Sequence, residues 1–297
     1  MKIISKLIIA VTFFTTAGCN DWLDVTPQAQ INADKLFSTP EGFENALLGV
    51  YTSMTQSTLY GKNMTWGFMD VLAQYYKVYS NSNHTYYEAA RYNYESGSSK
   101  DAIREIWLNA YKSIANCNII LEYLEQKGPG FFQENRYELI KAEALALRAY
   151  LHFDMLRAFT PSWNDNKDGM GIPYAESFTK KIHPQLPTRE VTKRILADLD
   201  TARNLLKGFD PVLDETFKDM YYHYYQPMGT VPQITDYRAY HMNYFAVTGL
   251  MARVYHFMGD PNAYTYAKEI IDAVEAGYFE FTSEAELSTS AKYKNVT

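Results

Sequence analysis

The stretch Ala142-Glu143-Ala144-Leu145-Ala146-Leu147-Arg148-Ala149-Tyr150 decides the fold class. Alanine and leucine are strong helix formers, and neither glycine nor proline interrupts the chain from Ala142 to Leu156. The run is nearly apolar all round, so it predicts a helix over about 134–159 that is buried on several sides. Pro161 ends it. A second stretch, Leu250-Met251-Ala252-Arg253-Val254-Tyr255, repeats the pattern of Leu145-Ala146-Leu147-Arg148-Ala149-Tyr150. Gly259-Asp260 follows it, then a segment carrying Ala263, Ala267 and Ile270 at helical spacing. Small residues that let helices approach, a helical hairpin, then repetition: this is the logic of a tetratricopeptide-type array. The predicted fold is therefore all-α dominated, built from tetratricopeptide-like helical hairpins with long irregular loop insertions.

Working outward, a first helix starts at Thr39-Pro40-Glu41, where threonine caps, proline fits the first turn and glutamate complements the dipole. Phe43, Ala46, Leu47, Val50, Tyr51 and Met54 then recur at three- and four-residue spacing. A long helix begins near Asp101, with Ile103, Ile106, Trp107, Ala110, Tyr111, Ile114, Asn118, Leu121 and Leu124 on one face, and stops at Gly128-Pro129-Gly130. Thr188 is expected to cap another helix, whose apolar face is Val191, Ile195, Leu199, Ala202 and Leu206. A final helical pair is expected over about 237–258 and 261–276. Between these lie loop insertions near 60–99, 161–187 and 209–236, the last centred on Tyr221-Tyr222-His223-Tyr224-Tyr225. Loops of that length are usually functional or disordered.

The N-terminus speaks to compartment. Lys2 and Lys6 precede the apolar run Leu7–Phe14, then small residues and Cys19, the layout of a signal peptide over 1–18. A cysteine directly after Ala17-Gly18 predicts lipoprotein processing and acylation of Cys19, although Thr16 stands where leucine is usual. Residues 19–38 read as a lipidated tether and extended segment, and 39–297 as the helical domain. Two or three acyl chains anchor stably, since each buried CH₂ contributes ~0.8 kcal/mol. Taking Lys2 and Lys6 away with the leader leaves 26 basic side chains against 34 acidic ones, a net charge of about −8. That balance argues against nucleic-acid binding. Cys117 then has no partner for a disulfide and reads as a small buried helix residue. Tyrosine is the outlier, 26 residues against 16 phenylalanines, which favours a surface where rings meet both apolar contact and water.

Motifs for catalysis are missing. The six histidines show no metal-ligand spacing, and there is no Gly-x-Ser-x-Gly elbow, Walker loop or dinucleotide fingerprint. Asp70, Glu88, Glu95, Asp154 and Asp168 are conceivable glycosidase acids, but no spacing pairs any two of them, and Asp154 shares a helix with Arg148 and Arg157 as a salt-bridge partner. No catalytic residue, metal or cofactor is implied.

The ordered set of motifs resembles the SusD/RagB family of Bacteroidetes outer-membrane lipoproteins. The residues that carry the resemblance are Cys19-Asn20-Asp21-Trp22-Leu23-Asp24-Val25-Thr26-Pro27, Phe37-Ser38-Thr39-Pro40-Glu41-Gly42-Phe43 and Ala46-Leu47-Leu48-Gly49-Val50-Tyr51. Trp107, Tyr111, Ile114, Ala115-Asn116, the Ala142–Tyr150 stretch, Thr188-Arg189-Glu190-Val191, Asp198-Leu199 and Leu250–Tyr255 continue it. Members continue past the point where Thr297 stands, so the resemblance implies a short or incomplete member. It further implies a surface-exposed lipoprotein held at the outer membrane through its anchor. Such a protein sits over a SusC-like TonB-dependent transporter and passes it oligosaccharides, or peptides in the RagB branch. The family's ligand site draws on the region just before the Trp107 helix. In this chain that region is dense in rings and amides: Trp66, Tyr75, Tyr76, Tyr79, Asn81, Asn83, Tyr86, Tyr87, Arg91, Tyr92, Asn93 and Tyr94. Ring faces stack on sugar C–H faces while Asn and Arg bond hydroxyls, so Trp66, Tyr75, Tyr79, Asn81, Tyr86, Tyr87, Arg91 and Tyr92 are the expected ligand contacts. Two other readings are a helical-repeat scaffold that binds only proteins and an α-helical glycoside hydrolase.

Overall fold

The computed structural model describes residues 28–78, 83–214, 234–235, 237–279 and 281, with side chains from Asn32 onward. The leader, Cys19 and its tether, Tyr79, Asn81 and the Tyr221–Tyr225 run lie outside the described residues.

Residues 1–39 and 40–297 form separate compact units. In the first, α1 (Gln28–Leu36) is helical where the sequence reading expected extended chain. Gln28, Ala29, Gln30, Ala33, Lys35 and Leu36 all favour helix, and that summed local preference prevails over the extended bias around Pro27. The Ser38 hydroxyl donates to the Lys35 carbonyl (2.7 Å) and closes the turn.

The second unit is the predicted helical array. α2 (Pro40–Met54) starts at the expected proline and buries Phe43, Leu47 and Val50, a single face at helical spacing. α3 (Phe68–Leu72) is one short turn inside the first insertion. α4 (Gly97–Lys127) begins four residues before Asp101 because Ser96 caps it, accepting from the Ser99 amide at 3.3 Å. It ends at Gly128, whose φ of 70° only glycine adopts freely. α5 (Arg136–Phe159) is buried from Ala142 to Leu156 apart from the half-buried Tyr150, as its apolar circumference demands. The second insertion is more regular than expected. It holds the short α6 (Trp163–Asn166) and an antiparallel ribbon of β1 (Met170–Pro173) and β2 (Gln185–Pro187).

α7 (Thr188–Phe209) buries all five residues of its predicted face. Thr188 is its first residue and not its cap. Pro187 holds the cap position, and the Thr188 hydroxyl accepts from Asn166 Nδ2 at 3.1 Å instead. A Cβ on Gly171 would lie 3.0 Å from the Leu186 carbonyl and 3.2 Å from the Thr188 Cα, so the ribbon packs closely on this helix start and a side chain there would have to push its neighbours aside by a few tenths of an ångström. α8 (Tyr244–Met258) starts later than expected, because Asn243 caps it through the Ala246 amide (2.9 Å) and Arg238–Tyr240 forms a separate 3-10 turn. Gly259 turns the chain into α9 (Asn262–Glu275), completing the predicted hairpin. The helices pack serially: α2 on α4, α4 on α5, α5 on α7, α7 on α8, and α8 on α9.

Two buried guanidinium groups bolt this series together. Arg148 on α5 grips Asp198 on α7 with two bonds (2.7 and 2.8 Å) and donates to Asn118 Oδ1 on α4 at 2.9 Å. The expected partner, Asp154, is six residues away and so faces another side of α5. It accepts instead from the Tyr60 hydroxyl (2.9 Å) and pairs with Arg157 and Arg253. Arg238 is fully buried between Asp210, gripped at 3.0 and 2.9 Å, and Glu143 on α5. Burial alone would raise the Glu143 carboxyl, but Arg238, with His241 beside it, holds it below the ordinary value. Cys117 is buried as expected, and burial pushes its thiol up to about 12.

His152 is locked neutral by the same core. Its Nε2 accepts from the Ala175 amide (3.0 Å), so Nδ1 carries the proton and donates to the Arg148 carbonyl (2.8 Å). Burial lowers its pKa from 6.5 to about 3. Between those values the unfolded chain binds a proton that the folded chain refuses. Stability is therefore complete above about pH 6.5 and falls as pH drops toward 3, at up to ~1.4 kcal/mol per unit. Urea titrations at pH 7, 6 and 5 should show this slope, and His152→Gln should flatten it; a slope identical in the two chains would refute the assignment. Arg238→Ala strands two carboxylates and should cost ~3–5 kcal/mol. Arg104→Ala, which breaks the exposed pair with Asp101, should cost below ~1 kcal/mol. Equal urea midpoints for these two variants would contradict the picture of an anchoring guanidinium.

Candidate functional site

The segment joining α2 to α4 is irregular but tightly bonded. From Thr55 to Gly67 the backbone closes on itself in consecutive turns: Tyr60 N–H to the Met54 carbonyl (3.0 Å), Asn63 N–H to Ser57 (3.1 Å), Gly67 N–H to Lys62 (2.7 Å). Side chains are excluded at two points. A Cβ on Gly61 would overlap the Thr55 carbonyl, and one on Gly67 would lie 2.7 Å from the Lys62 carbonyl and 2.8 Å from the Tyr86 hydroxyl. Leu59 and Phe68 are buried beneath these turns, leaving Trp66 at the surface, 59% exposed.

After α3 the chain bends at Gln74, which holds a left-handed φ of 61°. Its side-chain amide spans to the Val71 and Ala90 carbonyls, both at 3.2 Å, and so ties the two halves of the segment together. Tyr75 follows directly and is 77% exposed. The second half carries a 3-10 turn, Ala89–Arg91, with Ala89 buried. Tyr92 caps that turn at a left-handed φ of 57°, its hydroxyl donating to the Leu72 carbonyl (3.1 Å) at the end of α3. Its ring is half exposed, 6.5 Å from that of Tyr94.

The predicted contacts thus divide. Trp66, Tyr75 and Tyr92 present open ring surface. Tyr86 is a strut: its hydroxyl meets Asn63 Oδ1 (3.3 Å), and the Lys62 ammonium stands 5.3 Å over its ring. Tyr87 is covered by the Arg91 guanidinium at 3.6 Å, and Arg91 also donates to the Tyr87 carbonyl (2.9 Å), so these two residues satisfy each other. Tyr79 and Asn81 are outside the described residues.

Between this segment and the start of α4 lies a cleft of about 300 Å³, and of the predicted contacts Tyr86 lines it. Its lining is mixed: Ser57, Thr58, Lys62 and Asn63 from the segment and Asp101 and Glu105 from α4 supply polar groups, and Phe68, Tyr86, Ala89 and Ala102 supply apolar surface. Sequence reasoning missed this wall because it sought rings and stopped at both ends of the tyrosine-rich run. The available signal was the four-residue spacing of Asp101 and Glu105 on the polar side of α4. None of the five carboxylates weighed for catalysis lines this cleft. Glu95 pairs with Lys100 (2.6 Å), Asp168 with Arg189 (2.6 Å), and Glu88 accepts from Asn93 (2.7 Å). Burial raises the Asp154 carboxyl above its ordinary value, with Arg253, Tyr60 and Arg157 opposing. Among the described residues no three His, Cys, Asp or Glu side chains group as metal ligands, and no helix is long and apolar enough to cross a membrane.

The fold has known counterparts. A SusD superfamily protein from Bacteroides thetaiotaomicron superposes with a TM-score of 0.59 at 21% identity, over 87% of this chain and 50% of its own. A laminarin-binding SusD-like protein superposes with a TM-score of 0.54 at 16% identity, over 81% of this chain and 46% of its own. SusD-like protein P2 of Formosa agariphila is 24% identical over 203 residues, 68% of this chain and 38% of that protein. The chain therefore spans half or less of the length of these relatives. The family model described as "Starch-binding associating with outer membrane" matches residues 21–256. With most of its length inside that match and its helical array shared with those structures, the chain belongs to the SusD-like family.

Proposed function

We propose that this protein is a cell-surface glycan-binding lipoprotein that delivers oligosaccharides to a TonB-dependent outer-membrane transporter. The observation that carries the reading is the trio Trp66, Tyr75 and Tyr92, three rings left open to solvent on a segment whose described backbone is held by many turn hydrogen bonds. Open rings on a fixed frame suit stacking against sugar faces, and the cleft between the same segment and α4, with its hydroxyl, amide and charged groups, suits hydroxyl recognition. The family's description as starch-binding and the laminarin binding of one structural neighbour point to the same ligand class. Lys2, the apolar run and Cys19 support anchoring through lipid at residue 19 after removal of residues 1–18, and the outer membrane is the site the family description names.

Capture without cleavage fits the carboxylates. Glycoside hydrolysis needs two acids flanking one bond. Here Glu95, Asp168, Glu88 and Asp154 are each committed to a structural partner. Tyr79 and Asn81 belong to the proposed contact set by their position between Tyr75 and Tyr86 in the sequence.

Replacing Trp66, Tyr75 and Tyr92 together by alanine should weaken binding to a neutral glucan by about tenfold or more, ~1.4 kcal/mol at the least. Far-UV circular dichroism should stay unchanged, because none of the three rings is buried in the array. Calorimetric titration against starch- and laminarin-derived oligosaccharides reads the effect. Undiminished affinity in the triple variant, or shorter products appearing in the cell, would overturn the reading.

A further inference from the structure

The cleft between the segment and α4 does not end at Glu105. A second hollow, of about 560 Å³, continues from the shared residues Ser57, Thr58 and Glu105 along the seam between α2 and α4. We propose that cleft and seam form one trough that binds a linear, uncharged, hydroxyl-rich chain lengthwise. This inference rests on the glycan-binding reading and adds the ligand's path and charge class.

Helix geometry makes the trough. On α4, Ser98, Ala102, Glu105, Asn109, Lys112 and Asn116 follow one another at alternating spacings of four and three residues, so they share one face. At 1.5 Å per residue this face runs about 27 Å. That length accommodates several sugar rings end to end. The buried face of the same helix, with Ile106, Ala110, Ile114 and Cys117, lies next to it, about a third of a turn round. On the α2 side, Gly49 keeps the wall low: a Cβ there would meet nothing within 4 Å. Ser53 and Ser113 meet across the seam at 3.0 Å and form a narrow floor.

The groups that face the trough are matched to hydroxyls. Asn109 spends its Nδ2 on the Glu105 carbonyl (2.8 Å), which leaves its Oδ1 as acceptor. Gln56 likewise donates to the Thr52 carbonyl (3.2 Å) and keeps its Oε1. Among the described residues, the Asn116 side chain has no hydrogen-bond partner. Formal charges cancel along the whole path, Lys62 and Lys112 against Asp101 and Glu105. An anionic glycan would call for a surplus of Arg and Lys, and a cationic one for a surplus of acids. A balanced wall of amides and hydroxyls selects neither. The seam also lacks the buried aromatic and aliphatic anchors that hold protein partners, so a saccharide chain fits it better than a protein surface.

A ladder of neutral glucan oligosaccharides of rising length tests this, titrated into the full chain, into Gln56→Ala/Asn109→Ala and into the Trp66/Tyr75/Tyr92 triple variant. In the unaltered chain affinity should climb with length until the trough is filled. In the seam variant the ratio of long- to short-oligomer affinity should fall about tenfold, whereas the triple variant should lower affinity along the whole ladder. Sulfated or uronic oligosaccharides of equal length should bind more weakly than neutral ones. An unaltered length ratio in the seam variant overturns the trough while leaving the rim reading intact. So does loss of transporter association in that variant with sugar binding untouched. Failure of the unaltered chain to bind any member of the ladder removes both readings.

Discussion

The array depends on guanidinium groups removed from water. Desolvating such a cation costs several kcal/mol, and only near-complete hydrogen bonding offsets it. Arg238 meets that condition with Asp210 and Glu143, both side chains of the Glu143 pair being fully buried. Asp210 does more than neutralise. It also accepts the Val212 and Tyr244 amides, at 3.1 and 2.9 Å, and so fixes both the exit of α7 and the entry of α8. One carboxylate thus orients two helix ends around one cation. Arg148 works alike one layer away, joining α4, α5 and α7 through Asn118 and Asp198. Because each cation is held by residues distant in sequence, sliding any helix along its neighbour would strand a buried charge. Apolar packing alone tolerates small slips; these pairs do not.

Tyrosine supplies the second tier of the same design. Tyr51 donates to Glu143 (2.6 Å), Tyr60 to Asp154 (2.9 Å), Tyr174 to Asp198 (2.6 Å) and Tyr244 to Glu269 (2.6 Å). Each ring fills apolar volume while its hydroxyl satisfies a carboxylate lone pair that would otherwise face hydrocarbon. The tyrosine excess therefore has two sources. Part serves the core's carboxylates, and part lies open on the segment before α4.

That split explains what could be read from the sequence. Helix positions were legible because apolar residues recur at helical period wherever a helix buries one face, as in Val191–Leu206 on α7. Starts and stops were legible where glycine or proline dictates them, at Pro40, Gly128 and Gly259. They were misplaced where a side chain chooses between competing roles. Thr188 looked like a cap but bonds Asn166, and Ser96, not a residue at Asp101, begins α4. Partners in the core were illegible, since Arg148 and Asp198 are 50 residues apart and no local rule joins them. At the candidate site composition marks a ring-rich segment but could not separate open rings from struts. Tyr86 and Tyr92 look alike in sequence, and only the Asn63 contact and the Gly67 approach mark the first as internal.

The open rings owe their positions to backbone that is costly to adopt. Gln74 and Tyr92 both hold left-handed dihedrals without being glycine, at roughly 1–2 kcal/mol each. Such conformations persist only when surroundings over-determine them. Here the Gln74 amide bonded to two carbonyls and the Tyr92 hydroxyl bonded to Leu72 do so. The consequence concerns entropy. A ring on a mobile loop must be ordered when a ligand arrives, and that ordering subtracts from affinity. Tyr92 is already fixed at both its backbone and its hydroxyl, leaving one ring face for contact, and Tyr75 leaves a turn pinned by the Asp70 carbonyl at 3.0 Å. The strain of these two positions is thereby offset by side-chain bonds that hold the rings in place before anything touches them.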